Sequence, residues 1–165
     1  MSTVTFKGSP ILITGELPAV GTKAPDFTLV KQDLSEISLA DCAGKKLLLN
    51  IFPSIYTPVC AFTVKSFNEK SASLNNPEVL WVSMDLPFAQ SRFCGTEGVE
   101  NVETASAFRS DFGQTYGVTI ADGPLTGLFS RAIIVLDETG TVLYTELVSE
   151  ITEGPNYEDA LAALA

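Results

Sequence analysis

The sequence predicts an α/β domain, a central mixed β-sheet flanked by helices, with an N-terminal β-hairpin. Three apolar runs have the length of buried strands, and helical patterns separate them: Lys46–Phe52, Glu78–Asp85 and Ala132–Asp137. A β-α-β connection implies parallel neighbours, whereas a hairpin implies an antiparallel pair. A sheet that contains both kinds of pairing is therefore expected.

Length and composition fit one globular domain over residues 1–165. Apolar residues make up 45% of the 165 residues and charged residues 18%. A chain of this length buries roughly two-thirds of its unfolded surface, so that it can form a hydrophobic core without disulfides.

Short alternating runs predict the remaining strands. Val4–Phe6 and Ile11–Thr14 flank a Gly-Ser-Pro turn, which predicts a hairpin over residues 3–15. Three further strands are predicted: Phe27–Val30, Glu36–Leu39 and Thr141–Val148.

Helices are predicted between and after these strands. The long stretches are Val59–Asn75, Thr104–Tyr116 and Tyr157–Leu164. A short helical turn around Gln90–Cys94 is expected to end at Gly95, because glycine is common at helix C-caps.

The charge of the chain argues against several classes of partner. The net charge is −10 and histidine is absent. Nucleic acid and anionic membranes attract basic proteins, so neither is expected as a partner. No run approaches the ~20 apolar residues of a membrane span, and the first residues lack the pattern of a secretory leader. A cytoplasmic location is expected.

Three cysteines are the candidates for chemistry: Cys42, Cys60 and Cys94. An odd, small number does not suggest a disulfide framework. A zinc site is disfavoured because the chain has no CxxC pair and no histidine, and no cofactor is expected. The cysteines are either small buried hydrophobic residues or redox groups.

Cys60 follows a strong helix-start signal. Thr57 is a good N-cap residue and Pro58 suits the first helical position, which places Cys60 in the first turn. Cys60 is then either the first residue of an apolar helix face or a thiolate. The partial positive charge of a helix N-terminus can lower a cysteine pKa from about 8.5 by one to several units.

The pattern Pro53-x-x-x-Thr57-x-x-Cys60 resembles the peroxiredoxin active-site motif. The stretches NIFPSI, DLPFAQSRFCGTEG, YGVTIADGPLTGLFSRA and EITEGPNYEDALAAL resemble the bacterial thiol peroxidases, which are atypical two-cysteine peroxiredoxins. The resemblance covers nearly the whole chain and implies a thioredoxin-like fold. Tyr56 and Pro58 differ from the Asp and Gly that are common in that subfamily.

The resemblance implies a role for each site residue. Cys60 would be the nucleophile that becomes a sulfenic acid, Thr57 would hydrogen-bond the peroxide, and Pro53 would shield the site from water. Arg131 would stabilise the thiolate and the leaving oxygen. Considered alone, Arg131 would be interpreted as a solvated charge at the start of a strand, and the resemblance reverses this interpretation.

Cys94 would resolve the sulfenic acid through a Cys60–Cys94 disulfide, although by itself it could be a small buried residue. A disulfide needs Cα atoms within about 7 Å, so we expect the first turn of the Cys60 helix and the segment Phe88–Gly98 to loosen on oxidation. Gly95 and Gly98 would assist this loosening. Cys42 matches no catalytic position and is interpreted as structural or merely exposed.

The resemblance also implies partners. A hydroperoxide would be the substrate, thioredoxin the reductant and a homodimer the assembly. A preference for alkyl hydroperoxides is expected, with Ile55, Phe88 and Leu128 lining the approach to the sulfur. Two alternatives remain, a peroxide sensor that relays its disulfide to a client protein and a non-catalytic thioredoxin-fold interaction domain.

Overall fold

The computed structural model describes residues 2–55, 78–97 and 103–164, and it places them in two sheets with helices against the larger one. The predicted helix Val59–Asn75 lies outside these residues. The described strands are β1 Ser2–Phe6, β2 Ser9–Ile13, β3 Thr28–Lys31, β4 Glu36–Ser38, β5 Leu47–Ile51, β6 Glu78–Ser83, β7 Glu103–Ser106, β8 Ala132–Leu136 and β9 Val142–Leu147. The described α-helices are α1 Pro87–Glu97, α2 Phe112–Thr115 and α3 Tyr157–Leu164, and Leu39–Cys42 forms a 3-10 helix.

The larger sheet is mixed, as predicted. Its strand order is β4-β3-β7-β6-β5-β8-β9. β5 pairs in parallel with β6 and antiparallel with β8, whereas β8 and β9 form the antiparallel hairpin at one edge. β1 and β2 form the separate N-terminal hairpin.

The two faces of the larger sheet bury two hydrophobic clusters. β5 shows the alternation, because Leu47, Leu49 and Ile51 belong to one cluster and Leu48 to the other. The cluster that contains Leu48 also holds residues of α1 and α3. A third cluster joins the hairpin to the rest of the chain through Val4, Ile11, Ile13, Ile120 and Ile151. Among the described residues, no helix has the length and apolar character needed to cross a membrane.

The prediction of a helix over Thr104–Tyr116 is wrong. Glu103–Ser106 is the inner strand β7, which pairs in parallel with β6 and antiparallel with β3, and the helix that follows spans only Phe112–Thr115. Only Thr104 among the four residues of β7 is β-branched and none is aromatic, so the sequence lacks the usual pattern of a strand. Pairing on both sides makes it a strand, which is a tertiary effect.

Helix α1 is longer than predicted. It spans the eleven residues Pro87–Glu97 instead of a turn around Gln90–Cys94. Gly95 therefore lies inside the helix and is not its C-cap. Its φ angle is not positive, and a Cβ at this position would meet no atom within 4 Å. Because glycine within a helix is destabilising by roughly 0.5–1 kcal/mol relative to alanine, α1 is less stable than its length suggests.

Candidate active site

Three strand ends meet beside the turn that leads into the Cys60 motif. β5 ends at Ile51, which pairs with Val82 near the end of β6 and with Ala132 at the start of β8. The Phe52 amide donates to the Val82 carbonyl at 3.1 Å. Arg131 precedes β8, so the antiparallel pairing brings it to the end of β5 where the motif begins.

Arg131 is buried, with 4% of its surface exposed. Its Nε donates a hydrogen bond to the Ile151 carbonyl, and the residue lines a small cavity with Phe52 and Tyr157. The interpretation of Arg131 as a solvated strand-end charge is therefore wrong. Burial of a guanidinium is costly unless hydrogen bonds compensate for lost water, so a buried arginine at a strand end suggests a functional requirement.

The segment that holds Arg131 is fixed in turn by the N-terminal hairpin. The Ile151 amide donates to the Thr5 carbonyl at 2.9 Å. The Glu150 carboxylate accepts from the amides of Gly8 at 2.8 Å and Thr152 at 2.9 Å. These hydrogen bonds, with the Thr152 amide contributing most, lower the pKa of Glu150 from 4.5 to about 2. The hairpin therefore helps to position the carbonyl that binds Arg131.

The turn that contains Pro53 is held by Asp85. Pro53 is buried, and Asp85 lies two residues beyond the end of β6. The Ser54 hydroxyl donates to Asp85 Oδ1 at 2.9 Å, and the Ile55 amide donates to Oδ2 at 2.6 Å. Asp85 Oδ2 also accepts from the Ser83 hydroxyl at 2.7 Å. The carboxylate therefore fixes the backbone that immediately precedes the Cys60 motif.

The Asp85 contacts extend to the helix that carries Cys94. The Gln90 side chain on α1 is fully buried, and its Nε2 donates to Ser83 Oγ at 3.2 Å and to the Ala105 carbonyl at 3.1 Å. The Ser83 hydroxyl thus lies between Asp85 and Gln90. The turn at Pro53 and helix α1 are therefore joined through one short chain of polar contacts.

Cys94 is buried in α1 with 9% of its surface exposed. It belongs to the same hydrophobic cluster as Phe52 and Ile55, which brings this helix against the turn that leads into the motif. Gln32 Nε2 donates to Cys94 Sγ at 3.5 Å. Burial raises the pKa of the Cys94 thiol, and the hydrogen bond from Gln32 opposes this rise.

Cys42 is buried at the end of the 3-10 helix, with 5% of its surface exposed. The burial of Cys42 agrees with a structural role and excludes the alternative of an exposed thiol. Burial, assisted by the Glu78 carboxylate, raises the pKa of Cys42 to about 11. The residue remains a thiol at neutral pH and is a poor nucleophile.

The three residues predicted to line the substrate approach differ in exposure. Ile55 is fully buried in the cluster of Cys94, whereas Phe88, near the start of α1, is 67% exposed. Leu128 is partly buried and packs against the hairpin cluster. Thr57 and Cys60 lie outside the described residues. The lining of the substrate approach therefore stays a prediction.

Sequence reasoning missed several residues that support this site. Asp85 carried a usable signal, because it follows the carboxyl end of a parallel strand, where α/β proteins bind ligands. Glu150 and Gln32 carried none, since the hairpin amide that Glu150 binds and the sulfur that Gln32 binds are 142 and 62 residues away along the chain. Only the fold brings these groups together.

Comparison with known proteins identifies the family. The family model described as Redoxin matches residues 19–161. A curated thiol peroxidase of Mycobacterium tuberculosis is 59% identical over 164 residues, which cover 99% of both chains. A curated thiol peroxidase of Corynebacterium glutamicum is 52% identical over 164 residues, again covering 99% of both chains.

Solved structures give the same answer. A peroxiredoxin-like protein from Aquifex aeolicus superposes with a TM-score of 0.93 at 41% identity, covering 98% of this chain and 95% of the other. A thiol peroxidase from Chromobacterium violaceum has a TM-score of 0.91 at 22% identity, covering 98% and 95%, and supports the fold alone. The predicted thioredoxin-like fold and the resemblance to bacterial thiol peroxidases are confirmed. The chain therefore belongs to the redoxin family, among its peroxiredoxin-type thiol peroxidases.

Proposed function

We propose that this protein reduces hydrogen peroxide and alkyl hydroperoxides with Cys60 as the nucleophile and Cys94 as the resolving cysteine. The observation that best supports the proposal is the buried Arg131, hydrogen-bonded at the start of β8 beside the turn that enters the Cys60 motif. A permanent cation at this place suits a thiolate nucleophile in a chain that has no histidine.

The first step is the attack of the Cys60 thiolate on one peroxide oxygen. The S–O bond forms as the O–O bond breaks, and the other oxygen leaves as hydroxide or alkoxide and takes a proton. Thr57 donates a hydrogen bond to the peroxide, and Arg131 stabilises the negative charge that moves onto the leaving oxygen. Pro53 excludes water from the sulfur. Cys60 ends this step as a sulfenic acid.

The second step joins the two cysteines. The Cys94 thiolate attacks the Cys60 sulfur, the S–S bond forms, and the sulfenic oxygen leaves as hydroxide, which is protonated to water. The disulfide forms once the first turn of the Cys60 helix and the segment Phe88–Gly98, whose helix contains Gly95, have loosened. A thioredoxin dithiol then reduces the disulfide by exchange and returns both cysteines to the thiol form.

Partners and substrate preference belong to the same proposal. The similarity to thiol peroxidases supports a peroxide substrate and a thiol reductant. We propose a cytoplasmic homodimer that prefers alkyl hydroperoxides, with Ile55, Phe88 and Leu128 lining the approach. Exposed apolar side chains at Leu86, Phe88 and Phe108, which follow the ends of β6 and β7, support an interaction surface near the site.

Steady-state kinetics test the proposal. Peroxide reduction is followed by NADPH oxidation in the presence of thioredoxin and thioredoxin reductase, with cumene hydroperoxide and hydrogen peroxide as substrates. We expect Cys60→Ser to abolish turnover and Cys94→Ser to abolish recycling by thioredoxin while a single oxidation of Cys60 remains. Turnover that survives in Cys60→Ser would overturn the proposal. Fast oxidation with very slow recycling would favour the peroxide sensor, and equal rates with both peroxides would overturn the substrate preference.

A further inference from the structure

We propose that Gln32 is a further residue that acts on the resolving cysteine, because its side-chain amide donates a hydrogen bond to Cys94 Sγ and stabilises the reduced form of the Cys60–Cys94 couple. This inference rests on the proposed function, in which Cys94 forms the disulfide. Neither the peroxiredoxin motif nor the comparisons point to Gln32. The contact between the Gln32 amide nitrogen and the Cys94 sulfur is the observation that carries this inference.

The amide of Gln32 is held in place by a second polar contact. Gln32 follows β3, and its Nε2 lies 3.5 Å from Cys94 Sγ and 2.7 Å from Thr104 Oγ1. Thr104 belongs to the inner strand β7 and is 1% exposed, so that its hydroxyl is a fixed acceptor. The turn after β3, strand β7 and helix α1 therefore meet at one side-chain amide.

Charged side chains close in sequence to this contact are paired or exposed. Lys31 Nζ and Glu103 Oε1 are 3.5 Å apart. Asp33 accepts from its neighbour in the turn, the Ser35 hydroxyl, at 2.5 Å, and Arg92 is exposed. The hydrogen bond to Cys94 Sγ comes from an uncharged donor, the Gln32 amide.

A donor at this position favours charge on the sulfur. The amide nitrogen of glutamine only donates, so its hydrogen bond to a thiolate is stronger than its hydrogen bond to a thiol. Burial has the opposite effect and raises the pKa of Cys94. Gln32 therefore partly offsets the cost of ionising a buried thiol.

The same contact affects the redox equilibrium. When Cys94 attacks the Cys60 sulfenic acid, its electron pair enters the S–S bond, and hydroxide leaves as the S–O bond breaks. The sulfur of the resulting disulfide carries no charge, so it is a weaker acceptor than a thiolate, and the loosening of α1 expected for the disulfide removes the contact with Gln32. Gln32 therefore stabilises the dithiol relative to the disulfide, which makes the disulfide easier for thioredoxin to reduce.

The first test measures the pKa of Cys94 in the full chain with Cys60→Ser. Alkylation of Cys94 by iodoacetamide is followed by mass spectrometry between pH 6 and pH 10. Gln32→Leu removes the donor, and Gln32→Glu replaces it with a carboxylate of nearly the same shape. We expect the pKa of Cys94 to increase from the parent to Gln32→Leu to Gln32→Glu. An unchanged or lower pKa in Gln32→Leu would overturn the proposal.

A matched control uses the same substitution on another surface. Gln114 is exposed on α2, so Gln114→Leu introduces the same side chain away from Cys94. We expect the pKa of Cys94 to stay at the parent value in this variant. An equal rise in both variants would mean that the effect is not specific to Gln32 and would overturn the proposal.

The second test measures the reduction potential of the Cys60–Cys94 couple in dithiothreitol redox buffers. Loss of one hydrogen bond to the reduced sulfur is expected to shift the equilibrium about threefold to tenfold toward the disulfide. This corresponds to a potential more negative by about 14 to 30 mV in Gln32→Leu. A potential equal to that of the parent would contradict the proposal.

The two tests separate this inference from the proposed function. A parent protein that forms no Cys60–Cys94 disulfide would overturn the proposed function, whereas the alkylation of Cys94 would still decide whether Gln32 donates to its sulfur. A parent that forms the disulfide, with Gln32→Leu indistinguishable in both measurements, would overturn the role of Gln32 alone.

Discussion

Arg131 lies in a loop that long-range hydrogen bonds attach to the N-terminal hairpin, whereas Cys94 lies in a helix with a glycine in its interior. The Arg131 side chain donates to the Ile151 carbonyl, and the segment around Ile151 is attached to the hairpin through Glu150. Helix α1 packs against the sheet through buried residues that include Cys94, but Gly95 lowers its helical stability. The group expected to stabilise charge is therefore positioned by long-range contacts, whereas the group expected to move lies in a helix that its own sequence weakens.

The largest expected effect is on the rate of Cys60 oxidation when Arg131 is replaced. Arg131→Met keeps an apolar stem but removes the cation, and we expect oxidation of Cys60 by peroxide to slow by about 10²–10³-fold, the cost of removing one preorganised donor at an oxyanion. Arg131→Lys should recover part of the rate, since it keeps the charge and loses the planar fork. Stopped-flow measurement of oxidation under single-turnover conditions checks this.

Arg109→Met is the matched control for Arg131→Met. Arg109 is on the surface, 3.7 Å from Glu36, with 57% of its side chain exposed. We expect its oxidation rate to equal that of the parent, because surface ion pairs contribute little. A folded Arg131→Met protein that is oxidised at the parent rate would show that Arg131 does not stabilise charge in the reaction.

The next effect is the loss, at acid pH, of the hydrogen bonds by which Glu150 holds the N-terminal hairpin. The pKa of Glu150 is lowered to about 2, so its contribution to stability is fully present above pH 4.5 and is lost as the pH falls toward 2. The protection factors of the β1 and β2 amides, which correct for the intrinsic exchange rate at each pH, should fall between pH 5 and pH 2 as Glu150 becomes protonated. In Glu150→Gln this dependence should be absent, with low protection at every pH.

Glu153→Gln provides the control for this titration. Glu153 lies in the same segment with an exposed side chain, so the substitution should leave the pH dependence of β1 and β2 unchanged. A parent-like titration in Glu150→Gln would exclude the carboxylate as the attachment of the hairpin.

A smaller effect is expected on the rate of disulfide formation when the stability of helix α1 is changed. Gly95→Ala fits without a close contact and should stabilise α1 by roughly 0.5–1 kcal/mol, which would slow disulfide formation about twofold to fivefold. Ser91→Gly, at an exposed position of the same helix, should have the opposite effect. The rate of disulfide formation after oxidation of Cys60 is measured by quenched alkylation. Faster resolution in Gly95→Ala would contradict a helix that must loosen.

The smallest effect is expected at Cys42, which belongs neither to the Arg131 loop nor to helix α1. Burial keeps Cys42 protonated, with a pKa of about 11, so Cys42→Ala should leave peroxide reduction unchanged. The coupled assay with thioredoxin checks this, and a clear loss of turnover in a folded variant would give Cys42 a role that the present account denies it.

The sequence was informative where local pattern decides structure. The hairpin, the apolar strands β5, β6 and β8 and the terminal helix follow from periodicity and turn residues, and the cysteine motif indicated the family. The strand β7 could not be predicted, because its four residues lack a strand pattern and form a strand only between β3 and β6. The burial of Arg131 likewise depends on Ile151, which reaches it through the fold.

The measurement that tests the account most directly is a count of free thiols before and after one equivalent of organic hydroperoxide, under denaturing conditions. The account predicts a fall from three thiols to one, with Cys42 as the remaining thiol and Cys60 joined to Cys94 within one chain. Three remaining thiols, or a disulfide between two chains, would contradict it.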